Sequence, residues 1–272
     1  MADAQGLGPC SRSIGSGGST PLSGTMKITF LGTNGWYDTD MGNTICTLID
    51  SQKFYLILDA GNGIYKIDRY IKEQKSVYLF ISHLHLDHIE GLHILNKFKS
   101  LPSLGIYGRK GIKKELNKFV NDPFTVPLNK LPFPAKVFEV KEGANQKPFS
   151  FSALRIFHHG ITLGYRFQIE NKFIAYCTDT GKCDNTLILA NNADLLIHEC
   201  AFKEKPKGNI WGHSTPEEAA TIAKKAQAQK LVLTHFEARI YLSLEDRQYA
   251  LNKAQKIFKN TILAQDNLTI NV

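Results

Sequence analysis

Ser82-His83-Leu84-His85-Leu86-Asp87-His88 places three imidazoles and one carboxylate within six residues, directly after the continuously apolar run Ser76–Ser82. A short apolar run of this kind reads as a strand buried on both faces. Side chains alternate along extended chain, so His83 and His85 point to the same side. A turn after Leu86 then swings Asp87 and His88 toward a neighbouring point. That spacing offers two ligands to one cation and two to another. Packing three histidines beside an aspartate at a buried strand end is costly unless their nitrogens are satisfied. Imidazole donors favour Zn, Mn or Fe, whereas Mg and Ca prefer oxygen.

Outward from this run, the text alternates strands and helices. Lys27–Gly32, Asn43–Asp50 and Lys53–Asp59 read as strands, Gly61–Tyr70 as a helix, and Leu104–Tyr107 as a second buried strand ahead of a helix over Gly111–Val120. The proline-rich stretch 121–150 reads as loops with one strand around Lys136–Val140. Phe149–Phe157, Leu163–Glu170, Phe173–Thr178, Ala193–His198 and Leu231–Thr234 continue the strands, and Thr261–Val272 reads as a terminal one. Thr186–Asn191 suggests a helix turn, and a last helix spans Leu244–Phe258. Thr215-Pro216-Glu217-Glu218 predicts a helix start, with a capping Thr, a first-turn Pro and a Glu completing a capping box. These elements predict an α/β protein with two sheets packed face to face and helices outside. Residues 1–25, rich in Gly, Ser and Pro, are read as an appended leader or disordered tail, and residues 26–272 as one domain.

Composition narrows the class. Hydrophobic residues make up 43% of the 272, close to the soluble average. No apolar run nears the ~20 residues of a membrane span, and no secretory pattern opens the chain, so a cytoplasmic enzyme is expected. Five cysteines do not form a disulfide framework and are read as packing residues. The net charge of +8 suits anionic partners, although the basic residues are scattered.

Several further segments stand in a recognisable order: Phe30-Leu31-Gly32-Thr33, Leu58-Asp59-Ala60-Gly61, Tyr176-Cys177-Thr178-Asp179-Thr180, His198-Glu199, Gly212-His213-Ser214-Thr215 and Leu233-Thr234-His235-Phe236. With the HxHxDH run, they resemble the metallo-β-lactamase superfamily over nearly all of residues 26–240, in particular the branch of ribonuclease Z and related cyclic-phosphodiester hydrolases. The resemblance implies a four-layer αββα sandwich and two Zn(2+) ions per chain, with Mn(2+) or Fe as substitutes. One ion would be held by His83, His85 and His158, the other by Asp87, His88 and His235. Asp179 would bridge them, with a hydroxide between the metals. The Leu154, Ile156, His158 alternation favours His158 over His159. Asp179 alone would read as a turn or cap residue; its partner histidines change that. Asp87 and His213 are expected in the catalytic step, His213 by contacting a substrate phosphate and protonating the leaving oxygen. Glu199 reads equally as a partner to that site or a structural hydrogen-bonder, while His198 orients or packs and His93 reads as ordinary.

The expected reaction is phosphodiester hydrolysis. The family's ribonuclease form carries a long arm between the third metal histidine and the bridging aspartate. Here the interval from His158 to Asp179 holds only two strands and a turn, and Thr39–Asn43 lacks the basic residues of the family's substrate loop. Both favour a small cyclic nucleotide over precursor transfer RNA. The alternatives are a ribonuclease Z-type endonuclease, a lactone, thioester or β-lactam hydrolase on the same site, and a non-catalytic metal- or nucleic-acid-binding protein. Gly212–Thr215 and Thr234–Phe236 favour phosphate over carbonyl substrates. Homodimerisation is expected from the resemblance alone.

Overall fold

The computed structural model describes residues 26–206 and 211–272; the leader assigned to residues 1–25 lies outside them. The first part of the chain forms β1 (Lys27–Gly32), β2 (Asn34–Gly35), β3 (Cys46–Asp50), β4 (Phe54–Leu58), β5 (Ser76–Phe80), α1 (Leu86–Ile89), β6 (Leu104–Gly108), α2 (Ile112–Phe119) and β7 (Ala135–Glu139). The second forms β8 (Gly143–Asn145), β9 (Phe151–Ile156), β10 (Thr162–Ile169), β11 (Lys172–Cys177), α3 (Asp184–Ala190), β12 (Leu195–Glu199), α4 (Pro216–Lys225), β13 (Leu231–Thr234), β14 (Phe236–Glu237), α5 (Leu244–Gln255), β15 (Thr261–Leu263) and β16 (Thr269–Asn271). Two seven-stranded sheets result, ordered β16-β1-β3-β4-β5-β6-β7 and β15-β13-β12-β11-β10-β9-β8.

The layers follow from alternation within the apolar strands. On β5, Val77 and Leu79 face a core built with α2 and the two 3-10 helices Asn62–Arg69 and Glu90–Lys97. Phe80, one residue on, faces the other sheet, where Phe151, Tyr165 and Phe167 meet it edge-on at 4.9–5.3 Å between ring centroids. On β13, Val232 joins this central core while Leu231 and Leu233 pack outward under α4 and α5. Burial on both faces explains why these strands are apolar throughout rather than alternating. The expected αββα sandwich is present.

Three expectations change in detail. Gly61–Tyr70 is a 3-10 helix over Asn62–Arg69. Asp87 and His88 lie on the first turn of α1, which begins at Leu86, rather than beyond a separate turn. The terminal strand is two, because the chain leaves β15 on one sheet and returns as β16 on the other. Between them Asp266 accepts from Lys66 Nζ at 2.7 Å, Thr33 Oγ1 at 2.8 Å and Asn43 N at 2.9 Å, fastening the crossing. The α4 capping box forms as read, with the Thr215 side chain accepting from Glu218 N and the Glu218 side chain accepting from Thr215 N.

Among the described residues, no helix is long and apolar enough to cross a membrane. Phe80→Ala opens a cavity at the centre of the inter-sheet core, so its unfolding free energy in urea is expected to fall by about 3–5 kcal/mol. Phe124→Ala, at a side chain 73% exposed, should change it by less than about 0.5 kcal/mol.

Candidate metal centre

The residues singled out in the sequence emerge at the carboxyl ends of strands. His83, His85, Asp87 and His88 follow β5, His158 follows β9, Asp179 follows β11, and His235 follows β13. Strands β4 and β5 run parallel, as do β11, β12 and β13, so these ends share one edge of the sandwich. Carboxyl ends of parallel strands are where α/β sheets leave a crevice for ligands.

The seven side chains converge, and Asp179 divides them. Its Oδ1 lies 3.2 Å from His88 Nε2 and 3.1 Å from His235 Nε2, with Asp87 Oδ2 3.3 Å from the same His235 nitrogen. Its Oδ2 faces His83 Nε2 at 3.7 Å and His158 Nε2 at 3.6 Å, and His85 Nδ1 approaches His158 Nε2 to 3.2 Å. The ligand atoms of His83, His85, His158 and Asp179 lie within 4.8 Å of one another, and so do those of Asp87, His88 and His235. His159 is exposed and packs its ring on Trp211. His93 is exposed and bonded to Glu90 O, and His198 is buried and bonded to Glu199 O.

A divalent cation pair fits this donor set. Among the described residues, buried His83 Nε2 has no hydrogen-bond partner, although it points toward the Asp179 carboxylate. A buried nitrogen left so is costly unless a cation completes it. Burial and the neighbouring histidines hold His83 well below its usual range, and burial likewise lowers His85 and His158. These rings are therefore neutral, the form that binds metal. Burial opposes ionisation of Asp179, but His235, His88 and His83 outweigh it and keep the group well below its ordinary value. His88 goes the other way: burial disfavours its cation, yet Asp179, Asp87 and Asp59 together raise it well above normal. In the metal-free protein a proton on His88 stands where cationic charge is needed.

Backbone geometry at the ligands is unusual. Asp179 and His235 adopt left-handed φ angles of 50° and 53°, as does Asp59 at 56°. Non-glycine residues reach this region rarely and at a cost, and they gather at functional sites. Gly35 lies so close to His235 that an added Cβ would stand 2.5 Å from the ring, so only glycine admits the imidazole there.

Two buried carboxylates support the centre: Asp59, to which the sequence assigns no role, and Glu199, for which it leaves two open. Asp59, fully buried after β4, accepts from His88 Nδ1 at 2.8 Å, Ser82 Oγ at 2.8 Å and Tyr176 OH at 2.7 Å. Because a carboxylate only accepts, His88 carries its proton on Nδ1 and turns Nε2 to the centre. Glu199, also fully buried, accepts from Thr180 N at 2.9 Å, Ala201 N at 2.7 Å and His213 Nδ1 at 2.8 Å. It is thus both partner to His213 and structural anchor. Burial disfavours the His213 cation, but Glu199 outweighs it and raises the ring to about 9.

A family model described as Beta-lactamase superfamily domain matches residues 55–236. The chain belongs to this superfamily. Among curated superfamily relatives, Ribonuclease Z of Bacillus velezensis is 27% identical, with 91% of this chain and 99% of that protein aligned. Ribonuclease Z of Enterococcus faecalis is 29% identical, over 89% and 96%. Of solved structures, the metallo-beta-lactamase fold protein YhfI from Bacillus subtilis superposes with a TM-score of 0.76 at 25% identity, covering 92% of this chain and all of that one. The short form of human tRNase Z gives 0.72 at 25% identity, over 90% and 98%. The protein is a metal-dependent hydrolase of the ribonuclease Z-like kind.

Two outcomes test the centre. Asp59→Asn removes the charge and turns one of the two oxygens that accept from Ser82, His88 and Tyr176 into a donor, so zinc affinity in a competition titration is expected to fall about 10–100-fold while the far-UV spectrum is retained. The His213 ring in the metal-free protein should titrate by NMR near pH 9. Because this folded value lies above the ordinary 6.5, its ion pair with Glu199 is fully present below pH 6.5 and is lost as pH rises through about 9. Glu199→Gln should return the ring toward 6.5.

Proposed function

We propose that this chain is a phosphodiesterase acting on RNA, with two zinc ions held by His83, His85 and His158 and by Asp87, His88 and His235 across the Asp179 carboxylate. The observation that carries this reading is the division of Asp179, each oxygen turned to a different set of imidazoles. Divalent cations held by these residues would supply Lewis acidity and would lower the pKa of a bound water. The protein's own groups do the rest. Asp179 and Asp87 fix the spacing of the two halves, and Asp59 orients His88. His213, cationic through Glu199, donates a hydrogen bond to a phosphate oxygen and a proton to the leaving oxygen. Its ring centroid stands 4.9 Å from that of His158 and 5.9 Å from that of His235, so it overlooks both halves.

RNA is favoured because relatives matching almost the whole chain carry the names Ribonuclease Z and Ribonuclease BN. That favours the endonuclease alternative over the cyclic nucleotide preferred on sequence grounds. One observation keeps the cyclic phosphodiester as a second reading. From His158 to Asp179 the chain is only the β10–β11 hairpin, turning tightly at Glu170-Asn171. The alignment with the Bacillus velezensis protein runs over 310 positions, yet 91% of 272 residues is roughly 248, so roughly 60 positions there have no counterpart here.

A turnover screen with zinc or manganese across precursor transfer RNA, linear dinucleotides, cyclic nucleotides, a lactone and nitrocefin separates these readings. RNA cleavage is expected, and His213→Ala is expected to slow it by about 10²–10⁴-fold. Turnover of cyclic nucleotides alone would select the second reading. Hydrolysis of only the carbonyl substrates, or full RNA turnover by His213→Ala, would reject the proposed chemistry.

A further inference from the structure

The chain has two tryptophans, and both stand half exposed, Trp36 at 54% and Trp211 at 51%. Single exposed apolar side chains need no explanation. These two differ because each is tied to a different half of the metal centre. Trp36 follows β2, whose parallel pairing with β14 binds it to the segment carrying His235. Its backbone N–H donates to Asp87 Oδ2 at 2.7 Å, and its φ is 77°, a conformation an aromatic residue adopts only when held there. The Arg239 guanidinium lies 4.1 Å from its ring centroid and is itself anchored by Glu237 at 2.5 Å. On the other half, the Trp211 ring lies 6.3 Å from His85 and 4.9 Å from His159, and Trp211 O accepts from His159 N at 3.1 Å.

We propose that Trp36, backed by Arg239, and Trp211, beside His159, are two base-stacking platforms that grip the nucleotides on either side of the scissile phosphate of single-stranded RNA. This rests on the RNA reading above. An indole face accepts any base, and a guanidinium adds both a cation–π contact and a charge for the backbone. The net charge of +8 suits a polyanion. The β10–β11 interval is a tight hairpin, and both tryptophans stand beside the centre instead.

Trp36→Ala and Trp211→Ala are expected to raise KM for a single-stranded oligoribonucleotide about tenfold each, with the effect on KM rather than kcat, while Trp→Phe at either site retains affinity. The Trp36 N–H to Asp87 survives either change. On the same oligonucleotide with abasic sugars flanking the cleaved linkage, wild type and variants should become equal. A second readout needs no metal. Trp36→Phe leaves Trp211 as the sole tryptophan and Trp211→Phe leaves Trp36, so binding of an oligonucleotide with a non-hydrolysable linkage to either metal-free protein should quench its fluorescence. Wild-type RNA cleavage with unaltered KM in both alanine variants and no quenching would overturn the platforms alone. No RNA cleavage by the wild type would overturn the underlying reading, and the platforms with it.

Discussion

Two aspartates, Asp87 and Asp179, are buried within a few ångströms of each other, and their charge must be balanced. Ionised carboxylates do not survive burial without a partner. Here they are ringed by imidazoles rather than by Lys or Arg, and that choice matters. A fixed cation would neutralise them permanently and close the site. Imidazoles can be neutral, and most of these are, which leaves the balance to a proton on His88 or to incoming metal. The metal-free state is therefore a poised one, in which metal binding must displace a proton.

That arrangement asks for rigid support, and the sandwich supplies it. Each ligand-bearing segment leaves a strand whose two faces are both packed, so none can retreat without opening a core. Left-handed backbone at Asp59, Asp179 and His235 turns the chain sharply at the strand end and aims the side chain back across the edge. Such turns persist because their surroundings over-determine them. At Asp59 the surroundings are Ser82, Tyr176 and His88; at Asp179 they include Thr178 Oγ1, which donates to Oδ1 at 3.0 Å. Strain and hydrogen bonding are thus concentrated at the edge where the chemistry is placed.

How far this could be read beforehand depends on sequence distance. His83 through His88 were legible because strand alternation and a following turn act over six residues. His158 was separable from His159 by the same alternation, and the structure has the first buried and the second exposed. Asp179 was legible only with its partners in hand, since a lone aspartate at a strand end has many uses. Asp59 was not legible as an orienting residue: its partners lie 23, 29 and 117 positions away, and no local pattern encodes that meeting. The division of Thr261–Val272 between two sheets was hidden for the same reason. Its apolar pattern fits a strand on either edge, and the crossing is decided by Lys66, Thr33 and Asn43 meeting Asp266.

Substrate choice is the property least constrained by the centre itself. In the proposed reading, a cation pair and a protonated His213 would act on a phosphodiester whatever is attached to it, so discrimination would come from the rim. A relative with an additional arm can hold a folded RNA at a distance from the cut. In the same reading, a chain without that length takes its contacts close to the reacting phosphate. Trp36 illustrates this closeness: its N–H holds Asp87 while its ring faces outward, so whatever stacks there is positioned relative to a carboxylate of the centre through a single residue. A ligand that fails to seat on the proposed rim loses affinity, and the loss falls on binding rather than on the attack itself.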